Sequence, residues 1–333
     1  MKAIVYTEYG PAEVLRLAEA PQPTPQANEL LIKVHATTVT SGDCNMRGFT
    51  FVPRGFGLIS RLMFGYRRPK KPILGVEFAG EVTAVGQNVT RFQVGDAVFG
   101  LDGAGIGAYA AYKCVAETAG VAIKPANLSF AEAAAVPNGA LTALTFLRKL
   151  GKLQAGQEIL IVGASGSVGS AGVQIARHLG AVVTGVCSAA NVALVNSLGA
   201  ERVIDYTSED FRENGRAYDI IFDTVAKTSF TACKDSLKPK GIYLAGAGGL
   251  PEFGQLAWTS LTGGKKVMAG VSSESQEDLR FIKELVATGA FKPVIDRMYP
   301  LEEIVAAHRY VDQGHKKGNV VITLDYAELG SAR

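Results

Sequence analysis

The middle of the chain alternates short apolar runs with segments whose apolar residues recur at helical spacing. The run at 159–162 directly precedes such a segment at 168–179. Continuing along the chain, the pattern predicts strands at 182–187, 202–206, 218–225, 241–245 and 266–271, and helices at 191–198 and 229–237. Strands that alternate with helices form βαβ units with right-handed crossovers, which build a parallel sheet. We expect ligands outside the carboxyl ends of these strands.

The pattern before residue 124 is different. Short β-like runs, punctuated by glycine and proline, occur at 30–36, 78–85, 96–99 and 108–115. Similar strand character returns at 319–324. We therefore expect a compact, barrel-like antiparallel domain in residues 1–124, a nucleotide-binding domain in 125–290, and a return of the chain to the first domain in 291–333.

A glycine-rich turn joins the run at 159–162 to its helix. Its residues are Gly163, Ala164, Ser165, Gly166, Ser167, Val168 and Gly169. The free N–H groups and positive dipole end of a helix that starts here favour a pyrophosphate. Ala164 stands where the usual fingerprint has its first glycine, Gly166 permits the close approach to phosphate, and Gly169 lets the helix pack on the strand. The order of strand, turn and helix predicts a dinucleotide site.

The end of the second predicted strand bears on which dinucleotide binds. An NAD site usually has an acidic residue there, which accepts hydrogen bonds from the ribose 2′-OH. The stretch 187–191 has no acid, so a 2′-phosphate is permitted, and it has no Arg or Lys either. Ser188 and Asn191 are the available hydrogen-bond partners, and we favour NADPH over NADH. The alternative is that these two residues only cap a helix.

Composition fits a two-domain enzyme in the cytoplasm. The chain has 333 residues, 47% of them hydrophobic, and a net charge of +3 that does not suggest nucleic-acid binding. The dense basic run at 67–71 is interpreted as a solvated loop. We identify no signal peptide and no run long enough to span a membrane. The four cysteines lack the spacing of a zinc site and are expected to be reduced thiols, namely Cys44, Cys114, Cys187 and Cys233.

Several segments together resemble one protein family. They lie at 75–82, 95–100, 107–109, 136–137 with 141–143, 163–169 and 203–206. In these the chain is similar to the zinc-free quinone oxidoreductase branch of the medium-chain dehydrogenase/reductase superfamily. The resemblance implies an α/β fold, in which a GroES-like, β-rich catalytic domain accompanies a Rossmann domain with a doubly wound parallel sheet. It also implies a homodimer.

The resemblance also indicates the chemistry. Where zinc-dependent members have Cys, His and Cys ligands, this chain has Thr40, Val76 and Asn138. Glu77 remains, but one carboxylate does not make a metal site, and the four-cysteine structural lobe is missing. Without zinc to stabilise an alkoxide, we expect acceptors that need no metal. Quinones and α,β-unsaturated carbonyls, as small apolar substrates, accept hydride from a nicotinamide directly and then need only hydrogen-bond donors and a proton.

Residue roles follow from the resemblance. Tyr66 stands where relatives have a candidate acid, and the alternative is an ordinary half-buried loop tyrosine. Thr40 is a candidate donor near the nicotinamide, although relatives often have Asn there. Thr142 resembles a cofactor-contacting threonine, or bonds back to a helix carbonyl. Tyr206 is expected beside the adenosine, or in the core. Asn319 stands where many relatives have a Lys near the cofactor.

The apolar segment at 49–64 is unusual for the family. It is interpreted as a lid for a bulky apolar substrate, as a surface for a partner subunit or membrane, or as a packed loop. Two other functions remain open. One is an enoyl-thioester reductase in which the basic run at 67–71 contacts a phosphorylated carrier. The other is a non-catalytic NADPH-binding protein.

Overall fold

The computed structural model describes residues 1–50, 52, 57–246, 254–259 and 263–324. The chain divides into two compact units. Unit 1 contains residues 1–137, 274–287 and those from 293 onward, and unit 2 contains residues 138–273 and 288–292.

Both units contain strands. In chain order they are β1 (Lys2–Val5), β2 (Arg16–Glu19), β3 (Glu29–Val39), β4 (Glu77–Val85), β5 (Ala97–Leu101), β6 (Tyr112–Ala116), β7 (Gly120–Ile123), β8 (Glu158–Val162), β9 (Val182–Cys187), β10 (Arg202–Asp205), β11 (Tyr218–Asp223), β12 (Leu237–Ala245), β13 (Lys266–Ala269), β14 (Ile295–Pro300) and β15 (Asn319–Thr323).

The α-helices are Ser41–Gly48, Gly57–Phe64, Phe130–Ala134, Pro137–Leu144, Ser167–His178, Val192–Ser197, Phe230–Cys233, Gln276–Ala287 and Ile304–Asp312, and a π-helical turn covers Thr145–Leu150. Short 3-10 turns lie at Ala12–Val14, Ala189–Asn191, Lys234–Ser236 and Leu301–Glu303. Two helices begin with reciprocal capping boxes, Thr40 with Asp43 and Ser129 with Glu132, which satisfy N–H groups that a helix start leaves unpaired.

Unit 1 is built on a mainly antiparallel sheet. Its strand order is β14-β15-β3-β4-β5-β7, and β6 pairs with β3. The β14–β15 pair is parallel and the other pairs are antiparallel. Leu30, Ile32 and Phe78 are fully buried in its core. This is the predicted β-rich domain, and β15 from the end of the chain pairs with β3 as the returning strand character indicated.

Unit 2 is a six-stranded, fully parallel sheet. Its strand order is β10-β9-β8-β11-β12-β13. The chain enters at the central strand β8 and continues outward to β10. It then returns to β11, on the other side of β8, and continues outward to β13. This is the doubly wound Rossmann order, whose ligand crevice lies where the direction reverses. Ile159, Leu160 and Ile161 of β8 are fully buried, as a strand covered on both faces requires.

The unit boundaries differ from the predicted ones. Unit 1 extends to Pro137 rather than 124, and it includes the helix Gln276–Ala287, which lay inside the predicted 125–290 domain. Side-chain contacts explain both differences. Phe130 stacks on His35 of β3 at a centroid distance of 4.4 Å. The amide of Gln276 donates to the carbonyl oxygens of Glu117 and Ala119 at 2.6 and 2.7 Å.

One helical stretch meets the length and composition of a membrane span, which the sequence analysis did not expect. It covers Phe130–Leu150, and 72% of its most apolar window is buried inside the protein. A core helix meets the same two criteria, and this degree of burial is typical of one.

A buried ion pair holds the loop between β5 and β6. The ammonium of Lys113 lies 2.8 Å from a carboxylate oxygen of Asp102, and both side chains are buried. Lys113 also donates to the carbonyl of Ile106, and Asp102 accepts from the N–H of Gly105 at 2.6 Å. Ile106 has a φ of 41°, so these contacts fix a backbone conformation that non-glycine residues rarely adopt.

We expect Lys113→Met to lower the free energy of unfolding by about 3–5 kcal/mol, because it leaves the carboxylate of Asp102 buried without its cation. Arg309→Met, which breaks an exposed pair with Glu13, is the control and should cost no more than about 1 kcal/mol. Urea denaturation followed by circular dichroism measures both. Adding Asp102→Asn to Lys113→Met should recover part of the loss. Equal effects of the two single variants would contradict the structural role of the buried pair.

Candidate active site

The turn after β8 is shaped by glycine. Gly163 has a φ of 78°. The N–H groups of Gly163 and Ala164 both donate to the carbonyl of Val186 at 3.0 Å, which ties the turn to β9. A Cβ on Gly163 would lie 2.7 Å from Val225 and 2.8 Å from Thr224. The chain therefore reverses here with its backbone packed against the turn that follows β11, at the switch point of the sheet.

The helix Ser167–His178 begins at this turn without a side-chain cap. Gly166 is its N-cap residue and has extended backbone angles. A Cβ added to Gly166 would meet only the carbonyl oxygen of Gly163, at 3.4 Å, so the space beside it is open. A Cβ on Gly169 would lie 2.0 Å from the same oxygen, so only glycine permits this close packing. The result is an uncapped helix start with room for an anion.

The turn after β9 supplies the next polar groups. The amide nitrogen of Asn191 donates to the hydroxyls of Ser165 at 3.2 Å and Ser188 at 3.1 Å. Asn191 is only 8% exposed, and its amide oxygen has no hydrogen-bond partner in the part of the chain that the structure describes. Neither Ser188 nor Asn191 makes the side-chain bond of a helix cap. The capping alternative therefore loses its main support.

Sequence reasoning missed Asp223, which organises the turn after β11. Its buried carboxylate accepts from the N–H groups of Val225 at 3.0 Å and Thr228 at 2.9 Å and from the hydroxyl of Tyr243 at 3.2 Å. Ala226 within this turn has a φ of 51°. An acidic residue at the end of a buried run was the available signal, because the carboxyl ends of central strands form the ligand edge.

Thr142 and Tyr206 lie in unit 2. Thr142 is half-buried, and its hydroxyl has no partner within the described residues. The bond back to a helix carbonyl is made instead by Thr145, to Leu141 at 2.8 Å. One turn before Thr142, Gly139 allows its helix to approach the start of the Ser167 helix, since a Cβ there would lie 2.6 Å from Ser167 Oγ. Tyr206 is 58% exposed, which excludes the core alternative.

In unit 1, Thr40 is committed to a local network. Its hydroxyl donates to Asp43 Oδ2 at 2.6 Å and accepts from the N–H of Asp43 at 3.0 Å. The other carboxylate oxygen of Asp43 accepts from the N–H of Gly75 at 3.1 Å. Burial raises the pKa of Asp43, and these hydrogen bonds oppose the rise. With Asp43 ionised, the hydroxyl proton of Thr40 is occupied, so the predicted donor role is not available to it.

Glu77 and Asn319 are also structural. The hydroxyl of Thr38 donates to the fully buried carboxylate of Glu77. The amide of Asn319 donates to the carbonyls of Ala135 at 2.8 Å and Val294 at 3.1 Å. These bonds account for the burial of Asn319, and its predicted cofactor contact receives no support from them.

Sequence reasoning also missed Lys316, three residues before Asn319. Its ammonium donates to the carbonyl of Gly318 at 2.5 Å. Burial lowers the pKa of Lys316 to about 8, and the nearby carboxylates of Glu77 and Asp296 oppose this shift. The cation of this region therefore comes from residue 316. No local sequence signal distinguishes Lys316 from the neighbouring Lys317.

Tyr66 and part of the unusual apolar segment can be placed. Tyr66 is 59% exposed, and its backbone carbonyl accepts from Arg61 at 2.5 Å. It is thus more exposed than the half-buried loop tyrosine of the alternative. Of the segment 49–64, residues 51 and 53–56 lie outside the described residues, and the described part includes the helix Gly57–Phe64.

Comparisons with known proteins agree with this architecture. The alcohol dehydrogenase GroES-like domain family matches residues 26–144, and the zinc-binding dehydrogenase family matches residues 198–322. A curated relative, 2-methylene-furan-3-one reductase of Solanum lycopersicum, is 32% identical over 334 residues, which cover 97% of this chain and 79% of the relative. The chain belongs to the medium-chain dehydrogenase/reductase superfamily. It falls in the quinone oxidoreductase-like branch, and the predicted fold class is confirmed.

Solved structures of the superfamily have the same fold. The quinone oxidoreductase from Coxiella burnetii superposes with a TM-score of 0.86 at 29% identity and covers 98% of this chain and 99% of its own. The Escherichia coli quinone oxidoreductase complexed with NADPH gives a TM-score of 0.82 at 25% identity and covers 97% of this chain and 100% of its own.

The residues of unit 2 fit a nicotinamide dinucleotide, which medium-chain dehydrogenase/reductase proteins use. The open side of Gly166 accepts a group that a side chain would displace. The unpaired amide oxygen of Asn191, in the turn after β9, is a buried hydrogen-bond acceptor. Metal ligands are a different matter: within the described ranges, no three His, Cys, Asp or Glu side chains group together as a metal site would require.

We expect Gly166→Ala to weaken NADPH binding by about tenfold or more while leaving the melting temperature unchanged, because the new methyl group enters the open space rather than the protein. Gly169→Ala is the matched comparison and should lower the melting temperature, since its methyl group meets backbone. Fluorescence titration with NADPH and thermal melts measure the two effects. Unchanged affinity in Gly166→Ala would show that no phosphate approaches this turn.

Proposed function

We propose that this protein is an NADPH-dependent reductase of quinones or α,β-unsaturated carbonyl compounds that works without zinc. The observation that carries the proposal is the uncapped helix start after β8, with open space at Gly166. The names of the relatives support it: one reduces a methylene-furanone, and others are quinone oxidoreductases.

The chain's own residues bind and orient in this proposal. The backbone of Gly163, Ala164, Ser165, Gly166, Ser167, Val168 and Gly169 would hold the pyrophosphate. The hydroxyl of Ser188 would donate to the 2′-phosphate. Asn191, whose two amide hydrogens are used by Ser165 and Ser188, would position Ser188 and accept from a hydroxyl or amino group of the cofactor. Tyr206 would lie beside the adenosine, and Thr142 would contact the cofactor. When bound, the nicotinamide supplies a hydride to the acceptor. The protein must then polarise the acceptor's carbonyl oxygen, which lowers the barrier without a metal. A proton from solvent completes the reduction to the saturated carbonyl compound or the hydroquinone.

Independence from zinc rests on the residues at the ligand positions. Thr40 and Val76 stand where zinc-dependent members have Cys and His, and Asn138 stands where they have a second Cys. The Thr40 hydroxyl is bonded to Asp43, and the Val76 side chain has no ligand atom. An amide such as that of Asn138 is not a usual zinc ligand.

The assembly and location of the protein are further proposals. We infer a cytoplasmic homodimer that does not bind nucleic acid, since members of the superfamily commonly dimerise and a net charge of +3 creates no basic surface excess. Light scattering on the purified protein would give the oligomeric state.

The enoyl-thioester alternative depends on the basic run at 67–71. Two of its lysines have local roles, because Lys70 donates to the carbonyl of Leu62 at 2.7 Å and Lys71 donates to that of Ala104. These contacts account for the two lysine side chains, so the carrier alternative rests on Arg67 and Arg68, which are exposed.

We expect the purified, metal-free protein to oxidise NADPH in the presence of quinones or enones, at a rate that a chelator does not change. The decrease in nicotinamide absorbance measures this directly, with NADH and simple aldehydes as comparisons. Activity confined to aldehydes, or activity that requires added zinc, would contradict the proposal. NADPH binding without turnover on any acceptor would favour the non-catalytic alternative.

We expect Ser188→Asp to weaken NADPH binding by roughly tenfold, about 1.4 kcal/mol, because a carboxylate at the end of β9 repels a 2′-phosphate. NADH binding should change little, and the effect should shrink as salt is added. Ser188→Ala controls for loss of the hydroxyl. Equal losses of NADPH and NADH affinity in Ser188→Asp would place the 2′-phosphate elsewhere.

A further inference from the structure

Unit 1 contains a cavity of about 300 Å³. This is at the lower end of the range of small-ligand pockets, roughly 300–1,000 Å³. Its walls are mainly apolar and aromatic, with Tyr6, Tyr9, Met46, Met63 and Phe64, and they also include Lys70 and Lys71. Such a lining suits a compact apolar molecule with few polar groups.

Two tyrosines line the cavity, and their hydroxyls differ in what they contact. The hydroxyl of Tyr9 donates towards the carbonyls of Phe64 at 3.0 Å and Gly65 at 3.2 Å. The hydroxyl of Tyr6 has no hydrogen-bond partner among the described residues, although Tyr6 is only 2% exposed. The Tyr6 oxygen is not fully buried, so an acceptor atom of a molecule in the cavity can reach it.

The environment of Tyr6 keeps it a neutral donor. Burial raises its pKa, and the negative charge of nearby Asp43 raises it further. A phenol that stays protonated donates one hydrogen bond, and in a site of low polarity that bond is stronger than in water. The ammonium groups of Lys70 and Lys71, which also line the cavity, each donate to a backbone carbonyl oxygen. The hydroxyl of Tyr6 is then a donor that fits the oxygen of a neutral carbonyl.

We propose that this cavity binds the acceptor, an apolar quinone or enone, and that the hydroxyl of Tyr6 donates a hydrogen bond to its carbonyl oxygen. This inference rests on the proposed reductase function, whose substrate it defines. Tyr6 then polarises the carbonyl, whereas the sequence analysis named Tyr66 as the candidate acid. Tyr66 does not line the cavity, whereas the helix Gly57–Phe64 of the unusual apolar segment provides part of the wall through Met63 and Phe64.

The helix that forms this wall is anchored by aromatic contacts. The guanidinium of Arg61 lies 4.6 Å from the ring centroid of Phe49 and 5.8 Å from that of Tyr9. The ring of Tyr9 also packs on Phe49 at 4.7 Å. These contacts connect the helix Gly57–Phe64 to Phe49 and Tyr9, and Tyr9 itself lines the cavity.

Methyl resonances of labelled methionine test the site without turnover. The probe is 4-phenylbutan-2-one, a saturated aryl ketone that is not expected to react with cysteine thiols. Of the five methionines, Met46 and Met63 line the cavity, whereas Met268 of β13 and Met298 of β14 do not. We expect saturable shifts at Met46 and Met63 only. Absence of these shifts, or equal shifts at all methionines, would overturn the proposal.

Tyr6→Phe tests the hydrogen bond. We expect it to weaken ketone binding about tenfold and to lower kcat/KM for enones by at least the same factor, with the KM for NADPH unchanged. Tyr310→Phe, which removes a hydroxyl bonded to Asp296 at 2.6 Å on another face of unit 1, should change neither. Met46→Trp should block the ketone by filling the cavity.

The outcomes separate this inference from the proposed function. Reduction of enones by the wild type together with unchanged binding and kinetics in Tyr6→Phe would overturn the role of Tyr6 and leave the reductase function intact. A protein that binds the ketone through Tyr6 but fails to oxidise NADPH, whichever acceptor is added, would support the carbonyl site and overturn the reductase function.

Discussion

The nucleotide end of unit 2 depends on one close contact, between Gly169 and the carbonyl oxygen of Gly163. Because a Cβ at Gly169 would lie 2.0 Å from that oxygen, the helix can start directly against the turn only with glycine at this position. The contact brings the uncapped N–H groups to the edge of the sheet. Ala164 fits in the usual glycine position because it packs towards Gly185 of β9, which has no side chain to oppose it.

Unit 1 uses its buried carboxylates for structure. Asp43 is bonded by Thr40 and Gly75, and Asp102 is paired with Lys113. Glu77 accepts from Thr38. Buried charges require such partners, because desolvation of an unpaired charge is expensive. These three carboxylates are therefore used within unit 1. At the cavity, the neutral phenol of Tyr6 is a hydrogen-bond donor without a partner among the described residues.

Much of the fold could be predicted from the sequence, because periodicity and glycine positions report backbone requirements directly. The strand at 182–187 agrees with β9, and the turn after β8 has the predicted form. The strand predicted at 218–225 ends at Asp223, since the carboxylate of Asp223 draws the next residues into a turn. β12 begins at Leu237 rather than 241, because Lys238, Pro239 and Lys240 hide its first half from a pattern search.

The side-chain site could be predicted less well, because its roles depend on which polar groups find partners. Thr40 and Asn319 looked available in the sequence, and the structure bonds both internally. Tyr6 looked like an ordinary residue at the end of the first strand. Its unpaired hydroxyl depends on the positions of residues distant in sequence, such as Met46 and Phe64.

The phosphates of the cofactor and the carbonyl of the acceptor are therefore bound in different ways, and amino-acid substitutions affect the two kinds of binding differently. An anion at the helix start is bound by backbone N–H groups, so substitutions at Ser165, Ser167 or Val168 can leave phosphate binding intact if the glycines remain. In the proposed acceptor site, a neutral carbonyl is bound by one side chain, that of Tyr6. Substitutions near Tyr6 then change the acceptor without touching the cofactor, which makes unit 1 the place where acceptor specificity can diverge among proteins with this fold.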